Sequence, residues 1–177
     1  MEKNQEKLPV STSLEENIQQ LKEILGIGKS FDVIQLDLNY ADRDMAIFFI
    51  DGFIKDDIFL QIMKLLARLE RDQLAKEPLE RLLKRYIPYV EVDATDDLIE
   101  VADMVLAGPT ALIVDGINQA ILIDARTYPA RSPQEPDIER VVRGSRDGYV
   151  ETLVFNTALT RRRIRDRSLR LEYFQVG

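Results

Sequence analysis

The chain has 177 residues, 45% of them hydrophobic and 31% charged, and a net charge of −7; that length fills one ordinary core or two small ones, and the composition is that of a folded chain. Cysteine and histidine are both absent, which removes disulfides, the thiol nucleophile, the imidazole base and the usual zinc and haem ligands together. The charge is split: residues 1–125 hold 13 bases against 24 acids, whereas residues 126–177 hold 11 arginines, no lysine and 7 acids.

The start, MEKNQEKLPVSTS, has no hydrophobic signal region. Ser13-Leu14-Glu15-Glu16 spells a capping box before Leu14, Ile18, Leu21 and Leu25, which share one helical face, and Gly26 closes the segment. Phe31–Tyr40 and Met45–Asp51 then read as two strands around Ala41-Asp42-Arg43-Asp44, with Gly52 ending the second, so a hairpin is expected. Asp56 or Asp57 caps a helix carrying Ile58, Ile62, Leu65, Leu66 and Leu69. A second segment, Leu79–Ile87, runs to Pro88.

From Tyr89 a new pattern begins, with a short strand through Val90 and Val92 and a helix over Thr95–Leu106 ending near Gly108. Ala111–Val114 and Ala120–Ile123 flank Asp115-Gly116-Ile117-Asn118, where Asp-Gly supplies the left-handed residues a tight hairpin needs. Ala125–Asp137 contains Pro129, Pro133 and Pro136 together with Arg126 and Arg131. It reads as a stiff extended loop whose guanidinium groups grip an acidic neighbour on another lobe or subunit. Tyr149–Ile164 is predicted as a helix with Val150, Leu153, Thr157 and Ile164 on its apolar face and Arg161, Arg162, Arg163 and Arg165 in its last turn. Leu169–Val176 alternates as a final strand.

These elements predict an α+β fold of two small lobes, each a mixed sheet with packed helices. Residues 1–88 with the entry helix form the first, and residues 89–177 with the arginine-rich helix form the second. The longest apolar runs, Met45–Ile50 and Ala111–Val114, are strand-length and far below the roughly 20 residues that span a bilayer.

The arginines carry the most specific signal. An arginine fork pairs bidentately with carboxylate or phosphate in a fixed geometry that an ammonium does not impose. Cations suit a helix C-terminus, so the simplest reading is a solvated cluster. Consecutive helix residues point roughly 100° apart, however, so Arg161, Arg162 and Arg163 cannot all face away from the buried side. At least one borders a buried or partner-facing surface. Arg143-Gly144-Ser145-Arg146-Asp147-Gly148 is a weak spelling for an anion cradle, with no Walker lysine after it. It reads better as a helix-entry turn in which Arg146 pairs with Glu139 or Glu151. Asn156, a mediocre helix former in mid-helix, is either an exposed polar position or a residue with a hydrogen-bonding task. Asp93, Asp96 and Asp97 read as a strand exit and helix start, not as a metal site. The net negative charge and the lack of an aromatic array argue against nucleic acid. No cofactor is expected, and without a histidine or a carboxylate pair with a partner base no enzymatic chemistry is expected either.

The run YPARSPQEPDIERVVRGSRDGYVETLVFNTALTRRRIRD resembles the GerA family of spore germination proteins. The family shares an R-S-x-x-E-P-x-x-E, R-G-x-R-x-G-[FY]-x-E, N-x-x-L-x-R-R-I pattern, carried here by Arg131, Ser132, Glu135, Pro136, Glu139, Arg143, Gly144, Arg146, Gly148, Tyr149, Glu151, Asn156, Leu159, Arg162, Arg163 and Ile164. The resemblance covers residues 31–177. It implies the N-terminal cytoplasmic domain of an inner-spore-membrane protein, with a membrane-embedded region beyond Gly177. It also implies partners among the other subunits of a germination complex that releases ions and homo-oligomerisation of the full-length protein; the arginine helix and the segment before it are expected to carry the contacts, through Arg126, Arg131, Arg143, Arg146, Asn156, Arg161, Arg162 and Arg163. The alternative is a germinant-sensing domain that holds a small molecule between its two lobes.

Overall fold

The structure, a computed structural model, describes residues 7–71, 78–86, 91–126, 149 and 151–176. Helix α1 (Leu14–Leu25) forms as its sequence dictates: Ser13 caps it by accepting from the Glu16 N–H, and Gly26 ends it at φ 68°, a conformation that suits glycine. Strands β1 (Val33–Tyr40) and β2 (Arg43–Ile50) make a hairpin whose turn is only two residues long. Ala41 and Asp42 both sit at positive φ, 56° and 57°, the conformation that matches a hairpin's right-handed twist. Helix α2 (Asp56–Leu66) has Lys55 at its N-cap with no side-chain cap bond, so Asp56 and Asp57 lie inside the first turn and face the helix dipole instead of capping. A short α3 (Pro78–Arg81) continues into a π-helical turn over Leu82–Tyr86.

The second half supplies β3 (Val92–Thr95), α4 (Leu98–Ala107), β4 (Thr110–Val114), β5 (Ala120–Ile123) and α5 (Leu153–Arg163). Thr95 belongs to β3, and α4 starts later than its periodicity suggested because the Asp97 carboxylate caps it by accepting from the Ile99 N–H. The same carboxylate accepts from the Leu8 N–H, and the Val10 N–H donates to the Asp96 carbonyl, so the N-terminal segment is strapped across the start of α4. At the surface beside it Lys7 and Asp96 pair at 2.7 Å. The hydrogen bond to Lys7 holds the Asp96 carboxyl below its usual range.

The α+β class holds, but the two halves share one sheet. Its order is β1-β2-β4-β5-β3, every neighbouring pair antiparallel. The join is β2 on β4, from Met45 opposite Val114 to Phe48 opposite Ala111. Both strands are apolar on both faces, so each seeks cover on both sides and neither can end a lobe. One face of the sheet (Ala46, Phe48, Ile50, Ala111, Ile113, Leu122) packs under Leu14, Leu21 and Leu25 of α1 and Leu98, Val101 and Val105 of α4. The other face (Met45, Ile47, Leu112, Val114, Ile121, Ile123) packs on Ile62 and Leu66 of α2, with Leu69 and Leu82. A boundary near Pro88 therefore marks no break in the sheet. The expected strand over Leu169–Val176 is also absent: residues 169–176 run without regular structure beside the start of β1.

Candidate functional site

Where α1 ends and β1 begins, Ser30 and Asp32 are turned inward, and α5 crosses above them. Arg161 is buried there at 1% exposure, as are Ser30 and Asp32. Its Nε donates to Asp32 Oδ2 at 2.8 Å and its Nη2 to Asp32 Oδ1 at 3.0 Å, a two-pronged pairing of guanidinium and carboxylate. Nη2 also donates to the Ser30 hydroxyl at 3.1 Å, which itself donates to Asp32 Oδ1 at 2.7 Å, and Nη1 donates to the Leu169 carbonyl at 3.2 Å. A buried ion pair is tolerable only when its remaining donors and acceptors are satisfied in this way. Each carboxylate oxygen accepts at least one of these donors, so the cluster fixes the position of α5 over the start of β1.

The cluster also fixes the chain beyond α5. The Leu171 N–H donates to the Ser30 hydroxyl at 2.9 Å and the Leu171 carbonyl accepts from the Phe31 N–H at 3.0 Å. Arg170 lies over the end of α1, where its Nη2 reaches the Glu23 and Ile24 carbonyls at 3.5 and 3.4 Å. A cation there complements the helix dipole. A Cβ on Gly26 would come within 1.8 Å of Arg170 Nε, so glycine is required both for the turn and for this contact. Arg167 pairs with Asp103 of α4 at 3.0 Å. The basic end of the sequence is thus bound to the acidic part of its own fold. Between Gly28–Val33 and Leu171–Phe174 lies an open groove of about 570 Å³.

Of the residues singled out from sequence, Arg161 is the buried member of the arginine triplet, while Arg162 and Arg163 are exposed. Arg126 turns onto its own fold, with Nη1 on the Ala107 carbonyl at the end of α4 (3.3 Å) and Nη2 on Asp124 (2.6 Å). Asn156 is half-buried in the middle of α5. Arg131, Arg143 and Arg146 lie outside the described residues, as does the stretch 127–137 of the proline loop. The structure brings Arg161 together with Ser30, Asp32, Arg170 and Leu171, none of which stood out as a site residue in the sequence. Asp32 carried a signal: an acid inside the otherwise apolar entry to β1, Phe31-Asp32-Val33-Ile34, calls for a cationic partner. The predicted stripe of α5 is not its buried face: Thr157 is only half-buried, and Val150 lies outside the described residues. Leu153 and Ile164 are about half exposed, and the buried positions are Ala158 and Arg161. Among the described residues no cluster of acids could hold a metal ion, and no helix is long and apolar enough to cross a membrane.

Residues 19–177 match the sequence pattern of a family described as Bacillus/Clostridium GerA spore germination protein. Stage V sporulation protein AF of Bacillus subtilis (strain 168) is 36% identical over 173 residues, covering 98% of this chain and 35% of that protein. Spore germination protein GerLA of Bacillus cereus is 28% identical over 171 residues, covering 96% of the chain and 35% of its own length. The chain therefore spans about a third of these relatives. The N-terminal domain of the A subunit of the Bacillus megaterium spore germinant receptor GerK3 has the same fold, with a TM-score of 0.70 at 21% identity over 98% of this chain and 63% of that one.

Proposed function

The chain belongs to the GerA family of spore germination proteins, and from that membership we propose that it is the N-terminal cytoplasmic domain of an inner-spore-membrane protein. In this reading it works without chemistry or cofactor of its own. It contributes to assembly or gating of a germination complex that lets ions across the membrane, in contact with other subunits and with further copies of itself. A region beyond Gly177 would carry the membrane attachment. The observation behind this reading is the Arg161–Asp32–Ser30 cluster, which anchors the segment leaving α5 onto the sheet domain by hydrogen bonds to Leu169 and Leu171. A rigid exit of this kind suits a domain that passes position, not reaction products, to the region it adjoins.

The test is made in the full-length protein in spores. Arg161→Ala is expected to reduce recovery of partner subunits with the tagged protein from spore membranes and to slow ion release on germination. Arg162→Ala serves as the exposed control. Unchanged recovery and unchanged release in Arg161→Ala spores would overturn the reading. A second reading, small-molecule sensing, draws on the groove between Gly28–Val33 and Leu171–Phe174. The groove takes the place, in this reading, of the cleft between lobes that the sequence suggested, since β2 and β4 of the two halves pair in one sheet. A ligand at a hundredfold excess over its dissociation constant would add about 2.7 kcal/mol to stability, so a melting screen against amino acids, sugars and nucleotides separates the two.

A further inference from the structure

Strand β1 is one margin of the sheet, and at eight residues it is matched in length only by its neighbour β2 among the described strands. The two-residue turn makes Tyr40 and Arg43 the closing hydrogen-bonded pair, so even-numbered residues of β1 bond toward β2. The bond from the Asp51 N–H to the Asp32 carbonyl follows the same phase. Gln35, Asp37 and Asn39 consequently turn their backbone N–H and C=O groups outward. No described residue bonds to those six groups. The Gln35 side-chain oxygen on this strand is also buried without a partner.

Protein sheets usually guard such a margin with lysines, proline, a bulge or a covering segment. Strand β1 has no lysine or proline and a single charged residue, Asp37. Its other face presents Leu36, Leu38 and Tyr40, half-buried on the α2 side of the core. The opposite margin, β3, is only four residues long, and the N-terminal strap crosses the chain just after it through Pro9 and Asp97.

We propose that the outer edge of β1 docks the β1 of a second copy, antiparallel about a two-fold axis at Leu36. The choice of a second copy as occupant rests on the assembly reading above and on self-complementarity. With the axis at Leu36, Leu36 meets its own counterpart, Ile34 meets Leu38, and Gln35, whose Nε2 already donates to Asp37 of its own chain at 2.6 Å, lies opposite the second carboxylate, that of the other copy. With the axis at Asp37, two carboxylates would face each other, which is unfavourable on one face of a sheet. Residues 35 and 37 of each copy then exchange backbone hydrogen bonds, and the two sheets become one.

The natural chain contains no cysteine, so Leu36→Cys introduces a unique thiol. Residues at the axis form a non-hydrogen-bonded pair with Cα atoms about 4.5 Å apart, within disulfide reach. Light scattering of the 177-residue chain is expected to give a dimer. Leu36→Cys is expected to cross-link at least tenfold faster under mild oxidation than Asn39→Cys, which this register keeps away from its counterpart. Asp37→Pro, which removes an outward N–H and no bond to β2, should yield a monomer with an unchanged circular dichroism spectrum. Should that variant not fold, Leu38→Lys, which sets a lysine against Ile34 of the other copy, takes its place. A monomer at all concentrations, cross-linking no faster at residue 36 than at 39, or a dimer indifferent to the edge variants would overturn the proposal. A monomer whose amides at 35, 37 and 39 resist hydrogen exchange would assign the edge to this chain's own residues and equally overturn it. A dimer here with Arg161→Ala spores unaffected would remove the assembly reading alone, whereas a monomer here leaves assembly through other surfaces standing.

Discussion

Helices α1 and α5 have nearly the same length and opposite logic. In α1 the stripe visible in the sequence is the stripe that is buried: Leu14, Leu21 and Leu25 face the sheet, and the caps sit where Ser13 and Gly26 place them. In α5 the stripe expected to be buried is not the buried one: Leu153 and Ile164 are about half exposed, Thr157 is half-buried, and Tyr149 is exposed with its hydroxyl 3.3 Å from the Thr160 hydroxyl. The inward positions are Ala158 and a charged residue, Arg161. Helix α5 packs closely over Gly52, where a Cβ would meet Val154 and Ala158 at 3.0 and 3.2 Å. Hydrophobic periodicity locates a buried face when burial of apolar area is what holds the helix. It picks the wrong face when a guanidinium and a close approach to glycine hold it.

The comparison breaks most sharply at Arg161. Removing one partner of a buried pair strands the other, so Arg161→Ala is expected to cost about 3–5 kcal/mol in urea unfolding. Arg161→Met combined with Asp32→Leu should cost less than Arg161→Ala alone. A loss below about 1 kcal/mol for Arg161→Ala would mean that the cluster does not hold α5. Next comes the pair of leucines. Leu21→Ala in α1 should destabilise by about 2–5 kcal/mol, as expected for a buried leucine, while Leu153→Ala in α5 should stay within about 0.5 kcal/mol. Equal losses at the two positions would restore the face read from sequence. The smallest effects are expected at Arg162→Ala and Arg163→Ala, each within about 0–1 kcal/mol, since both side chains are exposed. A larger loss at either would move the anchor off Arg161.

The legible parts of this fold are those in which local chemistry and burial agree. The capping box of α1, the β1–β2 and β4–β5 hairpins, Gly116 at φ 81° in the second turn and the glycine stops at Gly26 and Gly108 all stand where the sequence placed them. The single sheet was hidden because β2 and β4, which join the halves, are short apolar runs with no signal for which strand they pair with. The site was half legible. Packing geometry alone required one of three consecutive arginines to face inward, but which one depends on Asp32, a residue 129 positions away. The segment after α5 alternates like a strand, yet its bonds go to Ser30 and Phe31. A serine hydroxyl takes the N–H that a ladder would otherwise have claimed, and alternation does not reveal that substitution.

That separation of 129 residues sets an order of events during synthesis. At about 5–20 residues per second, Asp32 emerges from the ribosome roughly 6–26 s before its guanidinium partner. The sheet strands and helices α1–α4 are all synthesised before then, so Ser30 and Asp32 cannot meet their α5 partner until those elements have left the ribosome. The turn between α1 and β1, among the earliest parts of the chain to be made, therefore waits for some of the latest, Arg161 and Leu171, to complete its hydrogen bonds.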